Sequence, residues 1–152
     1  MASTAIALEN LTLNVTDEIF VQASLDDTFQ AMLEQLGPAG EREDGTPMPM
    51  ILEAWPGGRW YRDLGGNNGH FWGHVQAINR PTLLEITGPM FMSYPVATNI
   101  QYRLSESGSG TLIKFHHTAL GLIDENHRRG VKKGWGHIHE CVRKRAEAKL
   151  AR

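Results

Sequence analysis

The sequence predicts one α+β domain, spanning residues 1–152, in which a curved antiparallel sheet of six or seven strands closes around a long C-terminal α-helix. Three observations carry this. Short segments between residues 11 and 117 alternate apolar and polar residues. Clusters of Gly, Pro and Asn break those segments about every ten residues. From near Asp124 the apolar period changes to three and four and stays there to the end of the chain.

Met1 to Asn10 reads as a loose or partly docked terminus. From Leu11 to Ala23 the odd positions Leu11, Leu13, Val15, Ile19, Val21 and Ala23 are apolar, and Asp17 alone interrupts them. A period of two is that of a strand with one face on a core, bent near Asp17. Ser24 caps a helix whose first turn carries Asp26 and Asp27, and Leu25, Phe29, Met32, Leu33 and Leu36 share one face of it. Gly37-Pro38 stops this helix, and the polar run Ala39 to Pro49 reads as a mobile loop.

Strands are then expected over Met50–Trp55, Arg59–Leu64, His70–Ile78 and Leu83–Thr87, separated by Pro56-Gly57-Gly58, Gly65 to Gly69 and Asn79-Arg80-Pro81. Gly88 to Pro95 is an irregular connector. Two further strands carry Ile100, Tyr102 and Leu104, then Ile113, Phe115 and His117, with Ser105 to Gly110 as the hairpin loop between them. On the final helix, Val131, Trp135, Ile138, Val142, Ala146 and Leu150 form one stripe. Gly130 and Gly134 cost that helix about 1 kcal/mol each against alanine, which points to close backbone approach or a break. Lys144, Arg145, Lys149 and Arg152 suit its negative dipole end.

The formal charge of −2 supplies no basic face for nucleic acid, and no apolar run reaches the ~20 residues that cross a bilayer. The first dozen residues lack the pattern of a secretory leader. One cysteine, Cys141, excludes an internal disulfide, so a reducing cytoplasm is the expected compartment.

Pro56-Gly57-Gly58-Arg59-Trp60, then Gly73 with Ile78 and Pro81, Gly110-Thr111 opening a strand that ends at His117, and Gly134-Trp135 in the last helix resemble one family. In order and spacing they are similar to bacterial relatives of the C-terminal domain of the activator of heat-shock-protein-90 ATPase, within the SRPBCC or START-like superfamily. The resemblance runs from about Leu11 to Leu150. It implies a helix-grip (START-like) fold with a cavity between sheet and long helix. Because that superfamily includes lipid carriers, hormone receptors, polyketide cyclases and co-chaperone modules, fold does not imply function. The chain departs from the pattern in a long Gly37–Pro49 loop, a candidate lid or altered entrance. It also lacks the N-terminal domain of the eukaryotic co-chaperone, which weakens chaperone activation as a role.

Trp135, Ile138, His139 and Val142 on the helix, and Tyr102, Phe115, His117, Met92 and Trp72 on the sheet side, are the expected walls of a ligand pocket. Arg59 is a candidate partner for an acidic head group, against the plainer reading of a surface ion pair with Asp63 or Glu85. His117 and His139, joined by His74, are candidates to converge as a general acid and base. His137 points to the opposite side, toward solvent. His70 and His74 lie about 13 Å apart on a strand, and no His-x-x-x-His pair occupies one helix face beside a carboxylate, so neither metal nor cofactor is expected. Met48, Met50, Met90 and Met92 read as pliable wall rather than copper ligands, and Cys141 as a structural thiol. The expected partner is a small apolar or amphipathic molecule; a homodimer stays open. An aromatase/cyclase-like enzyme using a pocket histidine and a chaperone-interaction module are the rival functions.

Overall fold

The computed structural model describes residues 5–149. Leu150, Arg152 and the first four residues of the terminus lie outside them. The elements are β1 (Thr12–Val21), α1 (Leu25–Leu36), β2 (Ile51–Leu52), β3 (Arg59–Gly65), β4 (Asn68–Asn79), β5 (Leu83–Gly88), β6 (Val96–Ser107), β7 (Gly110–Gly121) and α2 (Glu125–Ala148). They build one curved seven-stranded sheet in the order β1-β7-β6-β5-β4-β3-β2, every pair antiparallel. From β2 to β7 the chain is a meander of sequence neighbours. β1 instead lies beside β7 at the far edge, and α1 carries the chain from that edge to the other.

The predicted alternation sets which side chains face the core. Val15 and Val21 of β1, Leu84 and Ile86 of β5, Ile100 and Leu104 of β6 and Ile113 of β7 are all buried. Register places Phe115 between Asp17 on one side and Tyr102 on the other, and His117 between Val15 and Ile100. Ser24 caps α1 by accepting from the Asp27 N–H. At its other end the Leu36 carbonyl, unpaired within the helix, accepts the Trp60 indole N–H at 2.7 Å. Asp124 caps α2 by accepting from the Asn126 and His127 N–H groups. The 24 residues of α2 span about 36 Å, and Val131, Trp135, His139, Val142 and Ala146 form its buried line. Among the described residues no helix is long and apolar enough to cross a membrane.

Several boundaries differ from expectation. Met50–Trp55 pairs only at Ile51–Leu52, because the next residue, Glu53, turns its backbone and carboxylate onto Arg59. The loop Ser105–Gly110 shrinks to Gly108-Ser109, since β6 and β7 stay in register to Ser107 and Gly110. α2 is unbroken through Gly130 and Gly134. Leu8–Asn10 is a short 3-10 turn rather than loose chain, tied down where the Arg128 guanidinium donates to the Asn10 and Thr12 carbonyls. The expected mobile loop after α1 is a small hairpin, closed by a Glu41–Pro47 bridge and by Gly40–Met48 and Gly37–Met50 hydrogen bonds.

Phe115 is 2% exposed and lies within 4.8 Å, ring to ring, of both Tyr102 and Trp135. Phe115→Ala is expected to cost about 3–5 kcal/mol in urea unfolding, whereas Leu120→Ala on the outer face of the same strand changes stability by about 0.5 kcal/mol or less.

Candidate functional site

The middle of α2 enters the sheet on two polar hooks surrounded by rings. The Trp135 indole N–H donates to His117 Nδ1 at 3.0 Å. One turn on, His139 Nδ1 lies 2.7 Å from Asp17 Oδ2, and its Nε2 lies 3.0 Å from the Tyr102 hydroxyl. A ring nitrogen facing a carboxylate is the one that carries hydrogen, so Nδ1–H donates to Asp17 and Nε2 accepts from Tyr102. Burial pushes the His139 pKa below its ordinary value, against the opposing pull of Asp17. Burial, with repulsion from His116, lowers His117 to about 4. His117 is therefore neutral, and its Nε2–H has no partner among the described residues. Burial and the Asp17 carboxylate push the Tyr102 phenol well above its usual value, so it stays protonated and donates.

The packed layer fills the space expected to be a pocket. Tyr102, Phe115, His117, His139 and Val142 are all 2% exposed or less. The opening lies farther along α2, toward its N-terminus. There a cleft of about 330 Å³ runs between α2 and a wall made by Trp72 of β4 and Phe91 of the β5–β6 connector. Its helix side is Gly130, Val131, Gly134, Trp135 and Ile138, and the 37–50 hairpin sets Glu41, Arg42 and Glu43 along its rim. Phe91 bridges the two walls, with ring centroids 5.8 Å from Trp72, 5.3 Å from His127 and 6.3 Å from Trp135. The Trp72 N–H is satisfied by His70 Nδ1 at 2.9 Å, and His127 Nδ1 meets the Tyr94 hydroxyl at 2.8 Å. Both polar tips are thus occupied, leaving ring surface to the cleft.

Gly130 borders the cleft with open space on its side-chain side. A Cβ built there meets nothing within 4 Å, so the glycine neither admits a neighbouring backbone nor breaks the helix. At Gly134 a Cβ would lie 3.3 Å from the Glu43 carboxylate, and the rim hairpin closes on the helix at that point.

Of the residues expected to form pocket walls, Trp72, Trp135 and Ile138 line the cleft. Tyr102, Phe115, His117, His139 and Val142 belong to the packed layer, and Met92, 1% exposed, belongs to the core. Arg59 stands away from the cleft, its guanidinium held by both oxygens of Glu53 at 2.7 and 2.9 Å. That ion pair replaces the expected ones with Asp63 or Glu85. His74 does not join His117 and His139, because β4 turns it outward onto the Gly57 carbonyl. His137 is not simply solvated: its Nε2 is 3.0 Å from Glu41, which also accepts from the Cys141 thiol at 3.1 Å. Burial and Glu41 push that thiol up to about 11.

Several residues of the site were not expected from the sequence, among them Phe91 and His127 of the cleft, Asp17 and Glu41. Asp17 left a signal, a lone carboxylate on the apolar face of a strand, which implies a buried polar partner. Glu41 left none, since only the hairpin brings it to α2.

The family model described as Activator of Hsp90 ATPase homolog 1-like protein matches residues 28–144. No curated protein sequence matches the chain significantly. Among solved structures, the chain is similar to the di-domain ARO/CYC StfQ from the steffimycin biosynthetic pathway, with a TM-score of 0.68 and 11% identity over 95% of this chain and 54% of that one. It therefore spans about half the length of that relative. It is also similar to SA2116 from Staphylococcus aureus, with a TM-score of 0.69 and 12% identity over 96% of this chain and 100% of that one. CalU16 from Micromonospora echinospora gives a TM-score of 0.61 and 21% identity over 91% and 86%. At these identities the likeness is one of fold, and the fold is the helix grip.

Two measurements follow from the site. His117 titrates near 4 when folded and near 6.5 when unfolded. Between those values the unfolded chain binds the extra proton, so this stability is full above about pH 6.5 and is lost as pH falls toward 4. The loss amounts to about 3 kcal/mol. In urea unfolding from pH 7.5 to 4.5, His117→Gln is expected to remove most of that slope; an unchanged slope contradicts a buried neutral ring. Gly130→Ala, with open space at its Cβ, is expected to raise stability by about 1 kcal/mol through helix propensity.

Proposed function

The chain belongs to the Activator of Hsp90 ATPase homolog 1-like family, and from the cleft beside α2 we propose that it binds a small amphipathic molecule carrying a ring or short apolar chain. The observation that carries this reading is the open, ring-walled cleft bordered by a glycine on its helix side. Its volume of about 330 Å³ is at the lower end of the ~300–1,000 Å³ typical of small-molecule sites. The interior offers the faces and edges of Trp72, Phe91 and Trp135, while Arg42, Glu43 and Asn126 supply a polar rim. A guest with one apolar end and one polar end satisfies both.

The similarity to the di-domain ARO/CYC StfQ raises a cyclase-like alternative, which needs a base at the cleft. His117 and His139, the expected bases, are enclosed and have their acceptor nitrogens engaged. The imidazoles that do line the cleft, His127 and His137, are bonded to Tyr94 and Glu41. Binding without turnover is therefore the reading we favour.

The test uses the neutral fluorophore N-phenyl-1-naphthylamine titrated into the folded protein, with native mass spectrometry of protein from its own host to detect a co-purified guest. Gly130→Leu projects a branched side chain into the cleft. It is expected to weaken probe binding about tenfold or more, a change of about 1.4 kcal/mol, without lowering the unfolding temperature. Equal affinity in wild type and Gly130→Leu would place the probe elsewhere and overturn the assignment.

A further inference from the structure

Behind the cleft, Glu41 and His137 also border a wider polar depression of about 610 Å³, where Cys141 joins them. His137 and Cys141 are four residues apart on α2 and so share one helix face. Glu41 reaches them from the hairpin, where the bridge to Pro47 fixes its backbone. Cys141 Sγ is 3.1 Å from Glu41 Oε1 and 3.6 Å from His137 Nε2, and the third side of the triangle, Nε2 to Oε1, is 3.0 Å.

We propose that Glu41, His137 and Cys141 bind a divalent metal ion of the zinc class through three protein ligands, with the fourth position open to the polar depression. This goes beyond the small-molecule reading and does not depend on it. Tetrahedral zinc bonds of ~2.0–2.3 Å separate neighbouring ligand atoms by about 3.3–3.6 Å. The sulfur–nitrogen side of the triangle already has that length. The two sides that meet at Oε1 are a few tenths of an ångström short, because each is now closed by a hydrogen that a metal would replace.

The donor chemistry selects the same class. One thiolate, one imidazole and one carboxylate form a soft-to-borderline set that suits zinc or cobalt and disfavours magnesium and calcium, which prefer all-oxygen sites. Binding releases the thiol proton to solvent and moves the imidazole N–H from Nε2 to Nδ1. The two negative charges then balance the dication. Nearby charged groups are turned to other partners: Arg145 to Gln35 and Glu34, and Glu140 to Arg143. Lys144 also borders the depression, where it favours water or an anion in the fourth position.

Cobalt(II) titrated into the full-length protein under reducing conditions tests the assignment. One equivalent is expected to produce near-ultraviolet thiolate-to-cobalt charge transfer and intense visible bands of a tetrahedral ion, with zinc displacing both. Cys141→Ser is nearly isosteric and is expected to abolish the charge-transfer band while its circular dichroism remains that of the wild type. His137→Gln and Glu41→Gln are expected to weaken binding at least about tenfold, the loss that even an outer-shell partner causes. Gly130→Leu is expected to leave the cobalt spectrum unchanged, which separates this site from the cleft. A weak octahedral spectrum, or a charge-transfer band that survives Cys141→Ser, overturns the proposal. Unfolding temperatures supply a second readout: zinc is expected to raise that of the wild type and not that of Cys141→Ser.

Discussion

Trp135 and His139 stand one turn apart on α2, and each carries a polar atom into an otherwise apolar contact. The indole N–H ends on His117 Nδ1, and the imidazole is held between the Asp17 carboxylate and the Tyr102 hydroxyl. Unpaired, each of these groups would carry a desolvation cost of about 1–3 kcal/mol or more. The helix is therefore fixed both in rotation about its axis and in position along it. Rings of Phe115 and Tyr102 close around the hooks. A hydrophobic stripe alone would tolerate sliding by a turn; directional bonds to three different strands do not.

That anchoring divides α2 into two functional halves. Toward the C-terminus, Val142 and Ala146 continue the buried line, and the sheet is filled. Toward the N-terminus, the residues on the cleft side are Gly130 and Gly134, and the opposing wall is Phe91 and Trp72. A Cβ at Gly130 would meet nothing within 4 Å, whereas one at Gly134 would lie 3.3 Å from the Glu43 carboxylate. The open space beside α2 is the cleft walled by Trp72, Phe91 and Trp135. It lies at the edge of the grip, not in its centre.

The 37–50 hairpin links this cleft to the polar depression behind it. Its internal hydrogen bonds hold Glu41 against His137 and Cys141 and set Arg42 and Glu43 on the cleft rim. Glu41 and His137 thus form a partition with an apolar chamber on one side and a charged one on the other.

The sequence by itself determined the class of fold, the antiparallel meander from Arg59 to His117, α1 with its Ser24 cap, and the long closing helix. Periods of two and of three to four are local properties, and turn residues mark where they stop. Trp72, Trp135 and Ile138, expected from the sequence as pocket walls, line the cleft. Only the tertiary structure decided which apolar residues meet each other and which meet empty space. Tyr102, Phe115 and His117 share the pattern of wall residues, yet the Trp135 indole packs on Phe115 and His117 and the His139 ring on Tyr102. Asp17 was visible as an anomaly without a partner, since the partner lies 122 residues away. The Glu41–His137–Cys141 cluster was hidden for the same reason. Its two helical members are four residues apart, but the third arrives through a hairpin whose docking depends on contacts far apart in the chain.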